Sequence, residues 1–158
     1  MFLRSLIVIC SVLFFSTSLS AKQLVVDFEL PSFSTADYHK PYVAIWMESK
    51  DHKETFLLWH LTKRKEDKWL VDIRRWWRKL GRYDQTSDAV TGATKGPGKY
   101  SKTFTIKEAE KFTLVFEVVR EDGGRSLIKQ KIDFTDAKES YRIKADKEIS
   151  NILIKKEK

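Results

Sequence analysis

Most of the chain after residue 21 alternates between apolar and polar positions with a period of two. That alternation is typical of strands that bury one face. It predicts strands at residues 23–30, 41–48, 55–62, 112–119, 127–134 and 149–154. The run Asp122-Gly123-Gly124 predicts a hairpin turn. About seven short strands with one helical interruption predict a mostly β chain, a two-layer antiparallel immunoglobulin-like β-sandwich with one amphipathic helix.

The helical interruption covers residues 67–81, where large apolar side chains recur at helical spacing. Asp67 is expected to cap the start of this helix and Gly81 to end it. The apolar face consists of Trp69, Leu70, Ile73, Trp76, Trp77 and Leu80. The opposite face carries Arg74, Arg75, Arg78 and Lys79. We expect the tryptophan face to pack on the sandwich; the alternative is an interfacial helix among lipid headgroups.

The first 21 residues have the three parts of a secretory signal. A short basic start with Arg4 precedes an apolar run over residues 6–15 and small residues over 16–21. Because that run is too short to span a bilayer, we expect a signal peptide at residues 1–21, cleaved after Ser20 or Ala21. Residues 22–158 are expected to form a single β-sandwich domain in the periplasm, without stable membrane insertion after cleavage.

Charge and cysteine content narrow the classes of partner. The formal net charge is +8 at pH 7, which suits anionic lipid, an acidic protein or a phosphorylated ligand. Export takes the chain away from nucleic acid, which we therefore do not expect as a partner. The single cysteine, Cys10, lies in the signal, so the mature chain is expected to lack disulfides, a thiolate nucleophile and a cysteine metal site.

No arrangement of residues in the sequence resembles an active site. His39, His52 and His60 have no helical spacing that would pair them as metal ligands. No nucleophile elbow, triad order or carboxylate pair stands out. We therefore expect neither an enzyme nor a metal protein.

One segment between the predicted helix and the following strands is rich in small and turn-forming residues. It reads Asp88-Ala89-Val90-Thr91-Gly92-Ala93-Thr94. Small and turn-forming residues surround it, so we expect an exposed loop between helix and strand. The segment resembles the acceptor motif of flavin-transferase substrates, which is Asp, two variable residues, Ser or Thr, then Gly-Ala-Thr. Many such acceptors have Gly directly after the Asp, where this chain has Ala89.

In those substrates the final threonine receives FMN through a phosphoester bond, so the resemblance implies Thr94 as the attachment site. Gly92 and Ala93 would keep bulk away from the hydroxyl. Asp88 would help to dock the transferase or hold the loop turned, and Thr91 stands where the motif admits either hydroxyl residue. Activation of the hydroxyl and the Mg²⁺ would belong to the flavin transferase.

Blocks along the whole mature sequence resemble a known family. They are Lys40-Pro41-Tyr42-Val43-Ala44-Ile45-Trp46-Met47-Glu48, Leu58-Trp59, and residues 69–77, 88–98 and 116–124. In this order they resemble the periplasmic family catalogued as domain of unknown function 2271. Members tend to accompany flavin transferases and PepSY-type membrane reductases. The resemblance implies a non-enzymatic electron-transfer protein with covalent FMN, shuttling electrons between membrane and periplasmic redox partners.

The sequence departs from that family between Tyr100 and Phe112, where residues 107–111 make a short polar turn in place of a longer segment. Four aromatic residues are candidates to stack on the isoalloxazine ring, although each also suits core or edge packing. They are Trp46, Trp59, Tyr83 and Tyr100. The alternative function is a non-redox binding module, whose basic helix and loop hold an anionic partner.

Overall fold

The computed structural model describes residues 22–61, 66–83, 86–107 and 109–157. The expected signal peptide lies outside these residues. Within them the chain is mostly strand with little helix. The strands are β1 (Lys22–Leu30), β2 (Tyr42–Glu48), β3 (Lys53–His60), β4 (Thr91–Ala93), β5 (Gly98–Ile106), β6 (Lys111–Val119), β7 (Arg125–Asp133), β8 (Ser140–Ile143) and β9 (Ser150–Glu157).

The strands form two sheets. One has the order β5-β1-β9-β8 and the other β4-β3-β2-β6-β7. Neighbouring strands are antiparallel except β3 and β4, which run parallel. The two sheets and the predominance of antiparallel pairing confirm the coarse prediction. The order does not by itself confirm an immunoglobulin-like topology, which stays a prediction.

The two sheets share one apolar core. Leu24, Val26 and Phe28 of β1 pack in the same cluster as Val43 and Ile45 of β2. The period-two alternation of β1 explains its half of this core, since every second residue there is buried. Removing these side chains from water is the main term that holds the sheets together.

The outer face of the five-stranded sheet is covered by the helical segment. Strand β2 is buried on both faces, because Ala44 and Trp46 pack in a second cluster with Leu70, Ile73 and Trp76. A nearly continuous apolar sequence is what a strand buried on both faces requires. The expectation that this segment packs on the sandwich is therefore correct.

The segment is not the single helix that we predicted. A 3₁₀ helix spans Lys68–Asp72, with the Asp67 carboxylate accepting from Trp69 N, and α1 spans Arg74–Lys79. The backbone of Ile73 between them has φ −74° and ψ 68°, outside the helical region. The buried face of the whole helical segment is therefore narrower than predicted. Trp69 is 46% exposed and Trp77 is half-buried.

The break at Ile73 coincides with a carboxylate from the sheet. Glu117 of β6 is fully buried and accepts hydrogen bonds from the backbone N–H groups of Arg75 and Trp76. It also pairs with Arg125 at 2.6 Å. A carboxylate at a helix N-terminus accepts hydrogen bonds from the free N–H groups and interacts favourably with the positive end of the helix dipole. Glu117 therefore fixes a new helix start at this point.

Three strands were not predicted. They are β4, β5 and β8. Strand β5 pairs with β1 along its whole length, and β8 pairs with β9. The polar turn expected at residues 107–111 follows β5 directly. Strand β4 lies within residues 88–94, the segment that resembles the flavin acceptor motif and that was expected to be a loop.

Candidate functional site

The acceptor segment, residues 88–94, begins with a short 3₁₀ helix. This helix spans Asp88–Val90, and the Ser87 side chain caps it by accepting from Ala89 N. The Thr91 hydroxyl donates to the carbonyl oxygen of Asp88 at 2.8 Å. A local side chain to backbone bond of this kind holds the turn closed. The variable part of the motif is thus a compact turn.

The second half of the segment, the Thr-Gly-Ala sequence, is a strand. Thr91, Gly92 and Ala93 form β4 and pair in parallel with residues 58–60 of β3. The Thr94 backbone N–H continues the pairing by donating to the His60 carbonyl at 3.2 Å. The prediction of an exposed loop is therefore wrong for this part, because the edge of β3 offers backbone partners that the segment satisfies.

Thr94 lies at the end of β4 and is only 8% exposed. Among the described residues no hydrogen bond engages its hydroxyl, and that oxygen is not one of the buried polar atoms without a partner. What remains exposed of Thr94 therefore includes the hydroxyl. The residue is held by its backbone and surroundings, while its oxygen stays unpaired and in reach of solvent.

The flanking positions differ in exposure. Asp88, Ala93 and Lys95 are exposed, whereas Thr91 and Gly92 are half-buried. Within the described part of the chain neither the Asp88 carboxylate nor the Lys95 ammonium has a hydrogen-bond or ion-pair partner. Both charges are thus available to a second molecule.

Two of the four aromatic candidates, Trp59 and Tyr100, pack beside the segment. A Cβ on Gly92 would lie 3.4 Å from Trp59 Cδ1, so the backbone of β4 rests on the indole. Tyr100 packs edge-on against Trp59 with centroids 5.0 Å apart, and its hydroxyl donates to the Gly96 carbonyl at 2.7 Å. Both of these aromatic candidates are therefore beside the segment.

The other two aromatic candidates are elsewhere. Trp46 is fully buried under the helical segment and donates to Glu48 at 3.0 Å. Tyr83 is 54% exposed and lies beside Arg82. Neither lines the groove between β3 and β5, although Tyr83 lines a second pocket that also borders the segment.

That groove has a volume of about 560 Å³ and runs between β3 and β5. Its wall includes Thr91, Gly92 and Lys95, on both sides of Thr94 in sequence. A second pocket of about 830 Å³ borders the segment at Ser87 and Val90. The cationic residues that line this second pocket are Lys53, Arg78, Lys79, Arg82 and Lys107, against the acidic pair Asp51 and Glu54. Both cavities carry a positive excess.

A buried polar network anchors the end of β3 that receives Thr94. His60 Nδ1 lies 3.3 Å from Asp67 Oδ2, and the Tyr42 hydroxyl donates to Asp67 Oδ1 at 3.1 Å. Burial, followed by the nearby Asp67 carboxylate, raises the pKa of Tyr42 well above its ordinary value. Sequence reasoning found only the capping role of Asp67, because the three residues are far apart along the chain.

The other histidines also have carboxylate neighbours that their sequence spacing did not suggest. His39 Nδ1 is 3.6 Å from Glu121, and His52 Nε2 is 3.5 Å from Glu54. In the described ranges no group of three or more histidine, cysteine or acidic side chains is arranged to hold a metal ion. These contacts are isolated pairs at the surface.

Comparison with known proteins gives one match. A family model described as "Predicted periplasmic protein (DUF2271)" matches residues 23–151. No curated protein and no solved structure matches the chain. In the portion of the chain that the structure covers, no helix is long and apolar enough to cross a membrane. The family match confirms both the family resemblance and the periplasmic localisation expected from the sequence.

Proposed function

This chain belongs to the DUF2271 family of predicted periplasmic proteins, and we propose that it is an electron carrier with FMN attached covalently to Thr94. The flavin supplies the redox chemistry, and the protein positions it between membrane and periplasmic redox partners. The chain itself is the substrate of a separate flavin transferase and has no catalytic residues of its own.

The attachment step is a transfer of FMN from FAD. The Thr94 hydroxyl oxygen attacks the phosphorus of the FMN half of the FAD diphosphate. A new P–O bond to Thr94 forms, the P–O–P bridge breaks, and AMP leaves with the bridging oxygen. The hydroxyl proton passes to a base on the transferase. The product is a phosphodiester between Thr94 and the ribityl chain of FMN, with no change in oxidation state.

The observation that carries this proposal is the unpaired hydroxyl of Thr94 at the last position of the acceptor motif. A threonine oxygen in a side chain to backbone hydrogen bond, such as that of Thr91, would have to break it before reacting. Thr94 has no such bond among the described residues. Its reactive atom therefore carries no internal hydrogen bond, although most of the residue is buried.

The neighbouring residues support the same chemistry. Gly92 and Ala93 leave little side-chain volume on the strand that leads to the hydroxyl. The exposed Asp88 carboxylate suits recognition by a transferase, and the exposed Lys95 ammonium suits the negative charge of the attached phosphate. These three features lie within one short turn and strand.

The test is co-expression of the full chain with a flavin transferase in a bacterial periplasm. We expect one FMN-phosphoryl adduct by intact mass, and a fluorescent band that survives denaturing electrophoresis. Thr94→Val removes the oxygen while keeping the shape, so the adduct should disappear and the thermal melt should change little. Thr105→Val, a nearby exposed threonine on β5, is the matched control and should be labelled like wild type. An unlabelled wild-type chain beside a labelled reference acceptor would overturn the proposal.

One observation favours the alternative function, a non-redox module for an anionic partner. The large basic pocket beside residues 87 and 90 is lined by five lysines and arginines. A positive excess in a concave site raises the local concentration of anions. Purified periplasmic material separates the two functions, because a flavin carrier is yellow and a binding module is colourless.

A further inference from the structure

Strand β4 leaves half of the edge of β3 uncovered. It pairs only with residues 58–60, so in the described ranges no strand pairs with the stretch 53–57 of β3 on that side, although Thr86 reaches it with a hydroxyl contact of 3.3 Å to Thr55. The 560 Å³ groove follows this uncovered stretch and faces β5 of the other sheet. The sandwich is therefore open at one edge, directly beside the acceptor segment.

The floor of the groove is aromatic. Phe56 of β3 and Phe104 of β5 stack with ring centroids 5.1 Å apart and planes 15° apart, and Trp59 adjoins them. Rings from the two sheets thus meet at the bottom of the opening, where Phe56 and Phe104 are only 8% and 7% exposed and present their margins to the groove. A flat aromatic ligand gains both burial and ring contacts on such a surface.

A lysine interrupts the core-facing side of β5 at the same place. Tyr100, Lys102, Phe104 and Ile106 share one face of this strand, and Lys102 lies opposite the buried Val26 of β1. Lys102 is exposed, lines the groove, and has no ion-pair or hydrogen-bond partner among the described residues. A charge on an edge strand also discourages pairing between molecules, but that role does not require a groove lined by aromatic rings.

The charges around the groove select an anionic ligand. Lys95, Lys102 and Lys107 line it, and Glu54 is the acidic residue in its wall. Its volume lies within the range of about 300–1,000 Å³ that small-molecule sites occupy. Thr94 does not itself line the groove, but Gly92 and Lys95 on either side of it in sequence do, so a group tethered to Thr94 starts beside the groove.

From this geometry we infer that the groove between β3 and β5 holds the isoalloxazine ring of the flavin, with Lys102 beside it; this rests on the proposed attachment at Thr94. The ring lies on the Phe56–Phe104 floor, and its ribityl chain leads back to the phosphate on Thr94. Two-electron, one-proton reduction leaves the flavin ring with a negative charge. A neighbouring ammonium group favours that form, so Lys102 raises the reduction potential of the flavin.

The test uses two ways of attaching a flavin. In the first, the transferase labels wild type, Lys102→Gln, Lys102→Phe and the control Lys99→Gln. Lys99 is an exposed lysine of the same strand on the other face. In the second, a thiol-reactive riboflavin derivative is coupled to Lys95→Cys. The expected mature chain has no other thiol, because the one cysteine is Cys10.

If the ring occupies the groove, flavin fluorescence is quenched in the folded protein and rises on unfolding in both preparations. Lys102→Phe fills the groove with a ring that does not itself quench flavin and should abolish the quenching, while the melt stays cooperative. In a dithionite titration Lys102→Gln should shift the equilibrium about tenfold toward oxidised flavin, which is about 30 mV for a two-electron couple. Lys99→Gln should leave both quantities unchanged.

The outcomes separate the two proposals. If the transferase does not label the chain but the flavin coupled at residue 95 is quenched, attachment at Thr94 is rejected and binding in the groove is supported. Successful labelling with fluorescence equal to that of the unfolded chain, and unaffected by Lys102→Phe, rejects the groove and keeps the attachment. Equal shifts of potential in Lys99→Gln and Lys102→Gln would reduce the effect to general surface charge and reject the role of Lys102.

Discussion

Replacing Trp76 by alanine is the sharpest test of how the helical segment is held on the sheet. Trp76 is fully buried in the cluster that joins α1 to β2, and its indole N–H donates to the Thr55 hydroxyl at 3.0 Å. Its neighbour Trp77 is half-buried and packs at the margin of the same cluster. The two adjacent tryptophans form a matched pair that differs in burial.

The magnitude follows from that burial. Truncating a fully buried Trp to Ala costs about 3–5 kcal/mol in the free energy of unfolding, from lost transfer energy and the cavity that remains. Thr55, itself buried, also loses a donor. For Trp77→Ala we expect about 1–2 kcal/mol, since only part of the ring leaves an apolar environment.

Urea unfolding measures both variants. With a slope of about 2 kcal/mol/M for a chain of this size, Trp76→Ala should lower the midpoint by roughly 2 M and Trp77→Ala by less than about 1 M. The slope should not change if the fold is retained. Equal losses, or a larger loss in Trp77→Ala, would refute this assignment of the packed face and favour an interfacial or partner-facing helix.

Three further predictions follow from the described contacts. Glu117→Gln weakens the cap of α1 and should cost about 2–4 kcal/mol in urea melts, because a buried charge with several donors is lost. Burial raises the pKa of Glu48, but hydrogen bonds from Arg75 and Trp46 together with the Arg75 charge lower it by more. The pKa of Glu48 is therefore below its ordinary value. The stability it contributes is complete above its unfolded pKa and is lost as pH falls through the folded pKa, so Arg75→Gln should flatten the decline of the urea midpoint between about pH 5 and pH 3. Thr91→Ser keeps the hydrogen bond to the Asp88 carbonyl and should be flavinylated like wild type, whereas Thr91→Val loses it and should be labelled more slowly by intact mass.

The strands that follow one strong rule were predictable. Strands β1, β2, β3 and β6 have apolar side chains at every second position or on both faces, and β7 and β9 each contain a short apolar run, residues 127–128 and 152–154. Strand β5 breaks the rule at Lys102, and β4 has only three small residues. Strand β4 forms only because β3 has a free edge to pair with, and no local sequence pattern shows that edge.

The helical segment shows the same limit. The spacing of apolar residues correctly identified a packed helix and its cap at Asp67. It missed the break at Ile73, because the cause is Glu117, more than forty residues away on β6. The acceptor role of residues 88–94 stays a prediction, and the burial of Thr94 could not be predicted, since its backbone partner comes from the end of β3.

The parallel pairing of β4 with β3 has a kinetic consequence for any enzyme that modifies Thr94. If a transferase acts on Thr94 as proposed, it meets residues that are hydrogen-bonded into the edge of a sheet, so we expect local detachment of β4 to precede binding. Short edge segments open locally far more often than the whole domain unfolds. The rate of labelling then scales with the fraction of time that β4 is detached. On the proposed function, substitutions on the β3 side that tighten or loosen this edge are therefore expected to change the rate of labelling, with every residue of the motif unchanged.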